Sequence, residues 1–330
     1  MKILITGSSG NLGTALALTC KKRGYEVTGI DITPSDHTSF IGSIEDHDFI
    51  DQHMKNIDVV FHAAGLHKPH IVTHSYNNFI QTNVAGTSNL LQAATKNHVR
   101  KFIMSSTTSI FGDNLSPPDN SPAIWIDESV DIRSKNIYGV TKLAAEELCR
   151  IQPKKNNIDC VVLRLSRFFY EDDDNPHIRE TYSPENAKVN ELLYRRVDIE
   201  DAVNAHFAAI HYTPESGFDR FIISATTPFS PLHCNDIRQA AESVISKLYP
   251  DYIQLYQKLG WKMFPKIDRV YSNEKARKLL QWEPQYSFQS ALTSLSDGQS
   301  FRSPLSSIIG WRRYHNQAYD GMPYPVAPSS

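Results

Sequence analysis

The opening stretch Lys2-Ile3-Leu4-Ile5-Thr6-Gly7-Ser8-Ser9-Gly10-Asn11-Leu12-Gly13 narrows the possible folds more than any other part of the chain. Its short apolar run reads as a strand buried on both faces. Glycines follow at 7, 10 and 13, spaced Gly-x-x-Gly-x-x-Gly. The helical pattern from Asn11 to Arg23 then stops at Gly24. A strand, a tight turn and a helix N-terminus in this order form a phosphate cradle. Glycine permits positive φ and close backbone approach, and unpaired N–H groups with the helix dipole supply a positive field. A second predicted strand, Tyr25 to Ile30, ends at Asp31, eighteen residues past Gly13. A carboxylate there accepts hydrogen bonds from an adenosine ribose and repels a 2′-phosphate, which points to NAD rather than NADP. Gly7, Gly10, Asn11, Leu12, Gly13 and Asp31 are therefore the predicted cofactor contacts.

Strand and helix patterns keep alternating. A helix is predicted over Asp48 to Asn56, then a strand over Asp58 to Gly65 that ends in the small residues Ala63, Ala64 and Gly65, where a cofactor can lie close. A long helix, Tyr76 to Asn97, carries Asn83; strands follow at Lys101 to Ser106 and Asp159 to Leu165. Repeated units of this kind predict an α/β fold: a Rossmann-type doubly wound parallel sheet with a smaller C-terminal substrate lobe. The expected division is 1–165 for the NAD-binding domain, with part of 195–225 returning to it, 166–300 for the substrate lobe, and 301–330 for an extension. Lobe helices are predicted at Asp198 to His211, Asn235 to Tyr249 and Ser287 to Leu295. The extension combines Pro304, Pro323, Pro325 and Pro328 with Trp311, Tyr314, Tyr319 and Tyr324, too aromatic for a purely disordered tail, so 305–325 is expected to pack on the body.

Tyr138 and Lys142 open another predicted helix, running to about Arg150. Residues four apart share a helix face. A cation beside a phenol favours its ionised form and lowers its pKa, so the pair can exchange a proton with a hydroxyl or ketone. Ligands of this fold bind beyond the carboxyl ends of the strands. Ser105 and Thr107 fall at such an end, so Thr107 and Tyr138 are expected to face one cleft across 31 residues of sequence.

Composition removes other classes. Lys+Arg is 34 against Asp+Glu 36, which offers no nucleic-acid surface. No apolar run approaches the ~20 residues of a membrane span, and the first apolar stretch is already a strand rather than a leader peptide. Cys20, Cys149, Cys160 and Cys234 are scattered, which suits a reduced, cytoplasmic protein.

Together these pieces resemble the extended short-chain dehydrogenase/reductase family, in its epimerase/dehydratase branch, and UDP-glucose 4-epimerase-like proteins within it. The matching segments are 6–13, Asp31, Asp58-Val59-Val60-Phe61-His62-Ala63-Ala64, Asn83-Val84-Ala85-Gly86-Thr87, Ser105 to Gly112, and Tyr138-x-x-x-Lys142. Leu163-Arg164, the helix start Val197 to Asp201, and Ser272 to Trp282 also look familial. The resemblance implies that Tyr138 is the acid/base and that Lys142 holds the nicotinamide ribose and depresses the tyrosine pKa. It implies that Thr107 hydrogen-bonds the reacting oxygen and that Asn83 acts through backbone and water near the lysine. Dehydratase relatives carry Asp-Glu after the Thr107 position; Thr108 and Ser109 stand here, which disfavours elimination.

The expected function is that of an NAD-dependent oxidoreductase/epimerase acting at a secondary alcohol or ketone of a sugar or nucleotide sugar, through a transient keto intermediate. The alternative is a dehydrogenase/reductase of a smaller, non-nucleotide substrate; a non-catalytic cofactor sensor is a third reading, disfavoured by the intact Thr107–Tyr138–Lys142 set. Departures from the family bear on the substrate. Ser43 stands where relatives carry Asp toward the adenine, and Ser166-Arg167-Phe168-Phe169 where 4-epimerases show Asn. The span to Arg195-Arg196 is short and holds the acidic run Glu171 to Asp174. Arg167, Arg195 and Arg196 either grip a phosphate or carboxylate or pair with the acidic run, Asp198 or Asp201. His67, His70 and His74 lack the carboxylate or cysteine that would complete a metal site, so no metal is expected and His67 is a substrate-contact candidate. The expected partner is a small-molecule substrate. A homodimer is an analogy from the fold.

Overall fold

In the computed structural model, residues 1–153, 158–170, 172–173 and 175–310 are described. The main sheet contains β1 (Lys2–Thr6), β2 (Glu26–Asp31), β3 (Phe40–Ile41), β4 (Val59–His62), β5 (Lys101–Thr107), β7 (Asp159–Leu165) and β8 (Phe218–Ile223). A separate pair joins β6 (Ile124–Ile126) to β9 (Arg269–Tyr271). All pairings are parallel, and the main order is β3-β2-β1-β4-β5-β7-β8. The order reverses between β1 and β4, which opens a crevice at the strand tips.

Strand alternation builds the layers. Ile3, Ile5, Phe61, Ile103, Val161 and Leu163 point to one face, where they bury against α1 (Asn11–Lys22) and α8 (Ile199–His211). Their neighbours Leu4, Val60, Phe102, Met104, Cys160 and Val162 point to the other. That face is covered by α2 (His47–His53), α4 (Gly86–Lys96) and α5 (Ile137–Ile151). Between α3 (Tyr76–Phe79) and α4 the helix continues through a wider π turn, Ile80–Ala85. The sequence pattern shows one helix there but not the turn.

A second core forms the small lobe. It draws on α7 (Pro184–Glu191), α9 (Cys234–Leu248), α10 (Tyr252–Leu259) and α12 (Phe288–Ser296), with Val189, Ile237, Tyr256, Phe264 and Phe288 buried among them. The short α6 (Pro176–Thr181) precedes α7. Helix α8, which lies within the 195–225 stretch, packs on α1 and the sheet, with Val203 and Phe207 in the sheet core. The helices α11 (Glu274–Leu280) and α13 (Pro304–Ile309) also pack on α8. The aromatic segment from Trp311 onward lies outside the described residues.

Candidate active site

The glycine turn is built as its spacing requires. Gly7 has φ +73°, and a Cβ on it would lie 2.7 Å from Ala64 N. A Cβ on Gly13 would lie 1.9 Å from the Gly7 oxygen, so α1 can pack down on the turn only without a side chain there. The N-cap of α1 is Gly10, with no side-chain cap and no acidic residue in the first turn. Its amides and dipole are thus left to a ligand. Asn11 Oδ1 is buried with no partner among the described residues. Asp31 accepts from Ser9 N–H (3.0 Å) and Thr33 N–H (2.9 Å), which ties β2 to the turn. Each carboxylate oxygen keeps further acceptor capacity. Glycine cradle, uncapped helix and carboxylate fit a dinucleotide.

A cleft of ≈ 740 Å³ runs along the strand tips from this turn toward the small lobe. Gly7, Gly10, Asn11, Leu12, Gly13, Asp31, Ala63 and Gly65 line it, as do Ser105, Thr107, Tyr138, Lys142, His67, Arg167 and Arg195. Ala64 and Asn83 stand behind its wall. Asn83, in the π turn, receives Leu66 N–H at 2.8 Å and donates to Leu66 O and to Thr141 Oγ1 at 3.0 and 3.1 Å. It therefore clamps the loop after β4 to α5 through its side chain. His62 continues the clamp. Its Nδ1 meets Thr6 Oγ1 at 2.8 Å and its Nε2 meets Thr87 Oγ1 at 3.0 Å. Ala64 N–H donates to Thr6 Oγ1, and Thr87 Oγ1 donates to Asn83 O. This arrangement is satisfied by a neutral, Nε2-protonated ring. Burial, assisted by Lys142, holds the His62 pKa well below its usual range.

At the reacting end, Tyr138 and Thr107 line the cleft side by side, and Thr107 favours the ionised phenol. The depression of the phenol pKa expected from Lys142 is countered here by burial. Burial pushes Tyr138 up to about 12, opposed by Thr107. Burial also pushes Lys142 down to about 8, against the charge of Glu146 and Cys149. Glu146, one turn past Lys142, lies under it with Arg164. Arg164 Nε and Nη2 reach its carboxylate at 3.2 and 2.8 Å, and Ser106 Oγ donates at 2.5 Å; both charged side chains are fully buried. Ser105 Oγ is engaged by His206 Nε2 at 2.9 Å. The sequence reading missed the Glu146–Arg164 pair. Its only local trace is the four-residue step from Lys142 to Glu146.

The candidate arginines take the ion-paired alternative. Asp173 Oδ2 receives both Arg167 (3.0 Å) and Arg195 (2.8 Å), and Glu191 receives Arg195 (2.7 Å) and Arg196 (2.7 Å). Three guanidiniums hold Glu191 well below the carboxylate range despite its burial. Arg167 and Arg195 still line the cleft, whereas Arg196 turns away toward Phe169 O. Glu171 and Asp174 of the acidic run lie outside the described residues. The His67 ring stands edge-on to Tyr138, 6.1 Å between centroids, and burial lowers its pKa to about 3. Among the described residues no cluster suits a metal ion. Arg269, which the sequence reading did not single out, enters the cleft from β9. It donates to Leu115 O at 3.1 Å, and its Nε has no partner among the described residues.

Comparison with known proteins agrees with this geometry. A UDP-glucose 4-epimerase from Halalkalibacterium halodurans is 25% identical, over 97% of this chain and 98% of its own. The fold matches a short-chain dehydrogenase/reductase superfamily protein from Agrobacterium tumefaciens with bound NAD (TM-score 0.63, 22% identity, 90% of this chain and 96% of that one). It also matches a UDP-glucuronic acid 4-epimerase from Bacillus cereus in complex with NAD (TM-score 0.60, 24% identity, 88% and 94%). A family model described as NAD dependent epimerase/dehydratase family matches residues 3–223, from the glycine turn through the Tyr138 helix to β8. The chain belongs to that family.

Proposed function

We propose that this protein is an NAD-dependent epimerase of a nucleotide sugar, inverting a secondary carbinol through a transient ketone. The observation that carries this is that Thr107, Tyr138 and Lys142, all buried, line one cleft together with the glycine turn and Asp31, Lys142 standing one helical turn past Tyr138. NAD, when bound, supplies reversible hydride acceptance. Tyr138 takes the hydroxyl proton as the carbinol is oxidised and returns it when the ketone is reduced on its other face. Thr107 orients the reacting oxygen, and Lys142 holds the nicotinamide ribose. Arg269, with no carboxylate bonded to it among the described residues, is the cation placed for a diphosphate.

Incubated with NAD, UDP-glucose and UDP-galactose should interconvert with no net change in NADH absorbance. Accumulating NADH with a released ketone would favour a dehydrogenase of a less anionic substrate. That second reading draws support from the Asp173 and Glu191 carboxylates, which already occupy Arg167 and Arg195. Turnover of neither kind on any sugar nucleotide or hydroxylated small molecule would sink both.

Asp31 selects the cofactor in this reading. Asp31→Ala should weaken NAD and narrow its advantage over NADP; an unchanged NAD/NADP Kd ratio would assign selection elsewhere. We also infer a homodimer, because Tyr76, Ile80 and Val140 leave an exposed apolar strip on the adjoining helices α3 to α5. Sedimentation at micromolar concentration would refute it by showing one 37.4 kDa chain. A cytoplasmic location accords with the four free, buried cysteines. No helix among the described residues is long and apolar enough to cross a membrane.

A further inference from the structure

Ser166 directly follows β7 and is only 3% exposed, yet it lines the cleft. Its Oγ has no hydrogen-bond partner among the described residues. A buried hydroxyl left in this way is destabilising, so it is an unusual thing to keep at a strand tip. The backbone does not explain it, because the Ser166 N–H is already bonded to Ile223 O at 2.9 Å.

Strand alternation indicates which way the hydroxyl points. Ser106 and Arg164 are register partners, and both reach Glu146 on α5. Ser166 lies two residues beyond Arg164, and so on the same side of the sheet. Tyr138 and Lys142 rise from that same helix. The neighbouring side chains are otherwise engaged: Ser106 and Arg164 with Glu146, and Thr107 with Ser109 N–H. Charged and aromatic groups of the small-lobe side, Arg195, Arg269 and Tyr271, line the outer cleft where a substrate enters. Ser166 is buried at the tip of β7, and the cleft it lines is the one that also holds the glycine turn and Asp31.

We propose that Ser166 Oγ hydrogen-bonds the carboxamide of the cofactor's nicotinamide and fixes which face of that ring meets the substrate. A carboxamide carries a donor and an acceptor in one plane, and a serine hydroxyl can serve either. Ser166 is thus a positioning residue, and this assignment rests on the NAD-dependent reading of the site.

The test compares the Kd of wild type and Ser166→Ala for three ligands: NAD, ADP-ribose, which lacks the nicotinamide, and 3-acetylpyridine adenine dinucleotide, in which a methyl ketone replaces the amide. The variant should bind NAD about 3- to 10-fold more weakly, the scale of one neutral hydrogen bond. Its affinity for ADP-ribose should be unchanged, and the wild-type preference for NAD over the acetylpyridine analogue should shrink. The variant's own Tm should stay level or rise, because an unsatisfied buried hydroxyl is removed. Equal loss of NAD and ADP-ribose affinity, or no loss of either, would overturn the proposal. So would a change confined to sugar-nucleotide KM, which would assign the hydroxyl to the substrate. Failure of the wild type to bind NAD at all is a separate result, and would remove the cofactor reading together with this one.

Discussion

Replacing Tyr138 with phenylalanine is expected to lower turnover about 10²-fold or more while NAD still binds, the scale for loss of a positioned general acid/base. The ring that fills the buried site is kept, and only the phenol oxygen is removed. The expected pattern is a drop in kcat with a nearly unchanged Kd for NAD. With burial holding the phenol up at about 12, its resting form at neutral pH is the proton donor. Proton removal from a substrate hydroxyl therefore depends on positive charge close to the ring, part of which must come with the bound ligands. Near wild-type turnover in the phenylalanine variant would remove Tyr138 from the chemistry.

Glu146→Ala is expected to destabilise the protein by about 3–5 kcal/mol, because it strands the Arg164 guanidinium in the core. Both partners are fully buried, and Ser106 Oγ would lose its acceptor as well. A denaturant titration monitored by tyrosine and tryptophan fluorescence measures the loss. The paired replacement Glu146→Leu with Arg164→Met should cost much less than either single change, since no unpaired charge is left buried. A single-variant loss within ~0.5 kcal/mol, the range of ordinary surface substitutions, would show that the pair does not anchor α5 to β7.

The parts of the site that were legible in the sequence rest on short-range geometry. Glycines at fixed steps, an acid at the end of the second strand and a phenol four residues from an amine each specify a local shape. The cleft of the folded chain is lined by Gly7, Gly10, Gly13, Asp31, Tyr138 and Lys142. What local patterns did not reveal depends on contacts between distant segments. The β6–β9 pair joins residues about 145 apart, and it is what carries Arg269 into the cleft. Arg164 reads in the sequence as one charge inside an apolar strand; its meaning comes from Glu146 across the helix–sheet interface.

Periodicity, glycine placement and helix-face spacing settled the fold class and the dinucleotide cradle before any contact was known, because backbone sterics and side-chain repeats act over a few residues. Tertiary packing decided the charge states and the pairings. It raised Tyr138, lowered Lys142, tied Arg167 and Arg195 to Asp173, and left the Ser166 hydroxyl without a partner among the described residues. Desolvation and ion pairing depend on what surrounds a group in space, and neighbours along the chain carry little of that information.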